Sequence, residues 1–203
     1  MVPLGSAIRL VFSDYPDPDS FPPQVTLSAP NSIAAKVTVD LIGKSVLLVP
    51  VQALAPQTSY TMTIGSTAAS LALVQLGKTV TLGFSTGTAP GGGPNPPPDC
   101  QLATRGGLLA NCNGAGCHAP SDFGGPAAQL DLTLAAAASA LVGVPAQERP
   151  GLKRVLPHDP SRSYLLRKLL GTPDIQGGKM PLGTTLTDEE IQWFSDWIAT
   201  GAL

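Results

Sequence analysis

Charge is scarce in this sequence. Asp, Glu, Lys and Arg make up 13% of the 203 residues and the formal net charge is -2, so there is no basic patch for nucleic acid and no acidic tail. No apolar run is long enough to span a membrane, and Met1 is not followed by the basic and then apolar pattern of an export signal. Three cysteines are an odd number and do not describe a disulfide-stapled fold. What the chain has instead is Gly and Pro, 22 and 21 residues. They cluster at 90–98 and mark a break between two modules. The length suffices for two small domains, each with its own core.

Residues 6–13 place Ile8, Leu10 and Phe12 on one face and Arg9, Val11 and Ser13 on the other, the alternation of a half-buried strand. Strand-like runs follow at 24–28, 35–40, 45–51, 59–64, 69–76 and 79–85, separated by Asn, Gly, Pro and Ser. Several short strands at that spacing predict an antiparallel sandwich. Ile8-Arg9-Leu10-Val11-Phe12-Ser13, Leu47-Leu48-Val49-Pro50, Leu54 to Thr61 and Phe84-Ser85-Thr86-Gly87 together resemble the bacterial Ig-like domain of the surface-layer type, over residues 1–88. The resemblance implies a scaffold rather than a chemistry. This half has no His, no Cys and no convergent acid pair, and it reads as a spacer or adhesion module.

Residues 89–98, Ala-Pro-Gly-Gly-Gly-Pro-Asn-Pro-Pro-Pro, read as a linker able to reach roughly 30 Å at ~3.1 Å per residue. From Asp99 onward the apolar period becomes helical. Residues 102–111 predict a first helix, 134–142 an Ala-rich one with Thr133 as cap and Gly143 as stop, and 161–170 a third behind Asp159-Pro160 and ended by Gly171. A last helix opens with Thr187 and Glu190 in the reciprocal positions of a capping box and carries Ile191, Phe194, Trp197 and Ile198 at helical spacing.

Chemistry concentrates at Cys112-Asn113-Gly114-Ala115-Gly116-Cys117-His118. Two thiols followed by an imidazole are what covalent haem attachment needs, because each thiol adds across a vinyl group and the adjacent His reaches the iron. Four residues separate the cysteines where two are usual, and Gly114 and Gly116 can take positive φ and fold the longer loop back. A second ligand is offered by Gly177-Gly178-Lys179-Met180-Pro181, where Met180 lies outside any helical periodicity and Pro181 biases it toward extended backbone. The competing reading of Cys112, Cys117 and His118 is a disulfide or a zinc site with Cys100 as fourth ligand. Cys100 can also stay free, link to another chain or pair with Cys112. His158 is the alternative distal ligand, and Trp193, Trp197, Tyr164 and the Leu165-Leu166 pair read as core.

Cys112-x4-Cys117-His118, Leu130-Asp131-Leu132, Arg154-Val155, Asp159-Pro160-x-x-Ser163-Tyr164-Leu165, Lys168-Leu169, Met180-Pro181 and Trp197 to Ala202 resemble a class I cytochrome c domain of the kind found in multidomain proteins of myxobacteria and planctomycetes. The resemblance spans about 100–203. It implies an all-α cytochrome c fold over 99–203, haem c held by thioethers at Cys112 and Cys117, His118 as proximal and Met180 as distal iron ligand. The function so implied is a single-haem electron carrier tethered to an Ig-like spacer, with transient redox protein partners, no nucleic-acid partner and no enzymatic activity. Its place is the periplasm or outer envelope. Since Val2-Pro3-Leu4-Gly5 runs straight into a strand, the export signal or a lipid anchor is expected in a missing upstream segment. The alternative is a haem-free cell-surface or adhesion protein with a cysteine-stabilised or zinc-binding helical module.

Overall fold

The computed structural model describes Leu4, residues 6–88, Cys112, residues 117–120 and residues 126–202. The chain divides into two units, Met1–Pro96 and Pro97–Leu203, and each has its own core. The linker residues 89–98, the helix expected at 102–111 and Cys100 lie outside the described residues.

In the first unit, β1 (Ile8–Val11), β4 (Ala35–Asp40) and β5 (Ser45–Pro50) form a three-stranded sheet in the order β1-β5-β4. A four-stranded sheet has the order β3-β2-β6-β7, from β2 (Val25–Ala29), β3 (Asn31–Ile33), β6 (Ser59–Ile64) and β7 (Val80–Ser85). All named pairings are antiparallel. Alternation sets which residues turn inward. Tyr60, Met62 and Ile64 of β6 are buried, and they share one apolar cluster with Val25 and Leu27 of β2 and with Val46 and Leu48 of β5. β5 is the central strand of its sheet, and of its Val46-Leu47-Leu48-Val49 run Val46 and Leu48 are buried while Leu47 and Val49 are half-buried.

Arg9 and Asp40 fold over the turn between β4 and β5 at Gly43. Arg9 reaches Asp40 at 3.1 Å and donates to Ser45 Oγ at 2.9 Å, and Gly43 lies where a Cβ would run into that guanidinium. The loop before β6 is tied down by two hydroxyls. Tyr60 Oη accepts the Ala55 N–H at 2.8 Å. The buried Thr86 Oγ1 donates to the Ala55 carbonyl at 2.6 Å and accepts the Thr58 N–H at 3.0 Å.

The structure departs from the expected strands in two places. Residues 69–76 are not a strand: Ser70 donates to the Val74 carbonyl around Leu73, which sits at φ 62°. Leu73 and Val74 are therefore exposed at the tip of a turn, and an apolar run alone does not say whether a sheet edge is there to receive it. Conversely, β3 pairs back onto β2 around Pro30 although its Asn-Ser-Ile sequence carries little strand signal.

Among its described residues the second unit has three α-helices, α1 (Ala137–Leu141), α2 (Tyr164–Leu170) and α3 (Asp188–Ala199), of 5, 7 and 12 residues. It also has isolated bridges that join 142 with 155, 145 with 153 and 153 with 163. The all-α expectation is met only in part: the described residues are short helices joined by long loops, because Pro145, Pro150, Pro157, Pro173 and Pro181 interrupt any longer helix. α3 matches its sequence signature, with Thr187 Oγ1 accepting the Glu190 N–H and Glu190 Oε2 accepting the Thr187 N–H. It buries Ile191, Phe194, Trp197 and Ile198, and Trp193 as well. The helix expected at 161–170 is split. Asp159 caps a 3-10 turn at Pro160–Arg162, and Ser163 is extended because its hydroxyl accepts the Leu156 N–H and donates to the Asp159 carbonyl. α1 starts late, since Asp131 Oδ1 draws both the N–H and the hydroxyl of Thr133 into a turn.

Replacing Tyr60 by Phe should lower the stability of the N-terminal unit by about 1–2 kcal/mol, because the Ala55 N–H loses its acceptor while the ring remains. Urea unfolding of the full chain measures this in the transition reported by amides of that unit; a shift confined to amides of 126–202 would contradict it.

Candidate functional site

The stretch that carries the two cysteines and His118 is pinned by its backbone. His118 N–H donates to the Cys112 carbonyl at 3.0 Å, Ala127 N–H to the Cys117 carbonyl at 2.8 Å, and Leu132 N–H to the His118 carbonyl at 2.7 Å. The imidazole is oriented by the same neighbour: His118 Nδ1 lies 3.0 Å from the Ala127 carbonyl oxygen. A carbonyl can only accept, so this contact puts the proton on Nδ1 and leaves the Nε2 lone pair as the donor for an electrophile or metal. The same contact is what a metal-ligating His needs from its surroundings.

Cys112, Cys117 and His118 line a cavity of about 360 Å³ together with Met180, Pro181 and Leu182. That volume falls in the range of pockets for small ligands and cofactors, about 300–1,000 Å³. Its walls are mainly aliphatic, with the buried Leu132, Leu141 and Leu169 among them. Gln147, Glu148, Arg154, Tyr164 and Lys168 add polar side chains to the lining, and the last four are tied to other parts of the unit. Tyr164 Oη donates to Glu148 Oε2 at 2.9 Å, and Lys168 Nζ lies 3.0 Å from that same oxygen. Arg154 donates to the carbonyls of Ala140 and Ala128 at 2.9 and 3.3 Å.

These surroundings shift three protons. Burial, with the nearby Cys117 adding to it, pushes the Cys112 thiol up, so this sulfur stays protonated at neutral pH rather than acting as a thiolate. Burial pushes the Glu148 carboxyl up as well, but the hydrogen bonds from Lys168 and Tyr164 and the Lys168 charge outweigh it and hold the group below the ordinary carboxylate range. Burial and the facing Glu148 carboxylate raise the Tyr164 phenol.

All four sequence-predicted site residues thus face one space. His158 does not: its Nδ1 lies 3.2 Å from the Ala199 carbonyl, and its ring packs so closely on Gly201 that a Cβ there would come within 2.9 Å. Trp193 and Trp197 stack on one another at 6.2 Å within α3 and are not part of the cavity wall. Among the described residues, no three His, Cys, Asp or Glu side chains gather to hold a metal ion by themselves. The polar side of the cavity escaped the sequence reading. Tyr164 and Lys168 are four residues apart, one face of a helix, which was a signal; Glu148 sits in a loop with none.

Since the folded-state pKa of Glu148 lies below its unfolded value, its contribution to stability is present above the ordinary carboxylate pKa and is lost as pH falls through the lowered one. Acid unfolding of Glu148→Gln, followed on the amides of 126–202, should show a shallower loss below about pH 5 than the parent chain. The difference should be small, as the carboxyl is 38% exposed; identical acid limbs would show that the carboxyl is not held.

Residues 1–86 match the family model of the bacterial Ig-like domain, which bears out the β-sheet Ig-like reading of this half. No curated protein matches the chain. Among solved structures, the N-terminal part of the bacterial S-layer protein SbsC is 17% identical, with 41% of this chain and 21% of that chain covered and a TM-score of 0.36. The S-layer protein rSbsC(31-844) is 16% identical, with 42% and 12% covered and the same TM-score. The chain therefore spans about a fifth or less of the length of these proteins, and likeness at this level carries no argument. The family match ends at residue 86; the cytochrome c resemblance of 100–203 rests on the sequence motifs and the cavity alone.

Proposed function

We propose that the C-terminal unit holds one haem c and serves as a single-haem electron carrier, displayed outside the cytoplasm beside an Ig-like module. The observation that carries this reading is the cavity: two thiols, an imidazole with its Nδ1 already committed, and a thioether line one mainly aliphatic space. These residues fit the group. Cys112 and Cys117 would supply the thioethers, His118 the proximal ligand through Nε2, and Met180 the distal one. A haem so held supplies a one-electron redox centre whose potential the sulfur ligand raises.

The remaining tasks belong to the chain. Leu132, Leu141 and Leu169 give the cavity its apolar wall, and the Ala127 carbonyl orients the imidazole ring. If His118 and Met180 both served the iron, no position would be left for a substrate, which is why the reading is of a carrier rather than an enzyme. Its partners would be redox proteins that dock briefly over a small area. No helix among the described residues is long and apolar enough to cross a membrane. The Ig-like match supports a place at the cell surface, and a covalent haem would require export, which is why the carrier reading includes the periplasm.

The second reading, a haem-free cell-surface protein, is favoured by the comparisons, which reach the Ig-like half and nothing else. The two readings separate cleanly. The chain, given an export signal in a strain that matures cytochromes c, should retain haem after denaturation, and a colourless product would leave the surface-protein reading in its place. In the haem-bearing chain, Met180→Ala should abolish the sulfur-to-iron band of the oxidised spectrum, and persistence of that band would exclude Met180 as the ligand.

A further inference from the structure

We infer that Lys168, Tyr164 and Glu148 form a clamp that positions the Met180 loop against the cavity, which makes them positioning residues for the sulfur ligand. The consequence for the ligand rests on the haem reading above; the clamp itself does not. α2 ends at Gly171, with φ 71°, and the chain reaches Met180 without a helix or strand between them. One residue of that loop is gripped through both of its backbone polar groups. The Gln176 N–H donates to Tyr164 Oη at 3.0 Å, and the Gln176 carbonyl accepts from Lys168 Nζ at 2.8 Å. The two gripping side chains are joined through one oxygen, Glu148 Oε2.

Lys168 also fixes the far end of the loop, since its backbone carbonyl accepts the Met180 N–H at 2.9 Å. A single residue of α2 thus holds positions 176 and 180 at once, with its ammonium on one and its carbonyl on the other. The stem of Lys179 lies over Gly171, where an added Cβ would meet it at 3.1 Å, so Met180 enters the cavity from a segment folded back on the helix end. The first half of the loop has a separate anchor. Arg167 pairs with Asp174 at 2.6 Å, and both side chains are 3% exposed. Beside that buried pair, the partly exposed Lys168–Glu148 pair contributes little to keeping the unit folded. What it adds is the register of the second half, the half that carries the ligand.

The test compares Lys168→Met and Tyr164→Phe with the parent full chain, with the exposed Lys153→Met as a charge control. In the chain without haem, amide exchange at Gln176 and Met180 should quicken at least about tenfold in both clamp variants while the α3 amides keep their rates. Lys168→Arg should restore part of the protection. Unchanged exchange at Gln176 and Met180 would overturn the clamp whatever the chain binds. In the chain with haem, both clamp variants should weaken the sulfur-to-iron band and lower the reduction potential, and Lys153→Met should do neither. A parent-like band and potential in the clamp variants would overturn the positioning role. Failure of the parent chain to retain haem would sink the proposed function and leave the exchange result to decide the clamp.

Discussion

The hydrogen bond between His118 and the Ala127 carbonyl is the constraint on which the C-terminal unit turns. An imidazole free to rotate presents either nitrogen, and its tautomers are close in energy. Here the carbonyl selects one tautomer, and Ala127 is itself held by its N–H on the Cys117 carbonyl. The ring and the cysteine loop therefore share a support: whatever moves Cys117 moves Ala127, and with it the acceptor that orients His118. The Leu132 N–H on the His118 carbonyl extends this support to Leu132, which is buried in the cavity wall.

This arrangement also gives a physical account of the four-residue spacing between the cysteines. The His118 N–H reaches the Cys112 carbonyl, so the two ends of the loop are brought together by a backbone bond. The number of residues in between then matters less, since loop-closure entropy grows only slowly with length. Protonated sulfur at Cys112 and a thiol at the exposed Cys117 also differ in access, so the two sulfurs are not chemically equivalent partners for one reagent.

Legibility followed local rules. α3 could be read because every signal for it is local: a cap at Thr187, its reciprocal at Glu190, and an apolar stripe from Ile191 to Ile198. The strands with strict alternation, β1, β4 and β6, were legible for the same reason. Residues 69–76 misled because their apolar side chains suggest burial, and only the tertiary structure shows Leu73 and Val74 at a turn. The helix at 161–170 split because Ser163 spends its hydroxyl on the backbone around Asp159, a competition that composition does not reveal. Cys112, Cys117, His118 and Met180 were legible as residue types whose chemistry is rare in this chain. Glu148 was not, since it acts only through Tyr164 and Lys168, and a loop carboxylate carries no mark of the partners that folding will bring to it.

The division of labour within the second unit follows from the shortage of regular structure among its described residues. Helices of 5 and 7 residues are too short to be stable by themselves, so the loops that complete the cavity must be fixed by side chains. Two kinds of fixing are present. Arg167 and Asp174 are buried, and each has further partners: Arg167 donates to the Ser161 carbonyl, and Asp174 accepts from Thr172 Oγ1 at 2.7 Å. A buried pair satisfied in this way is costly to break, because either partner left alone is an uncompensated charge, and it holds the loop to the core. Glu148, Tyr164 and Lys168 stand instead at the cavity wall, where solvent weakens each bond. Such contacts can yield without unfolding the unit. The loop is therefore held rigidly at its Asp174 end and adjustably at the end that carries Met180.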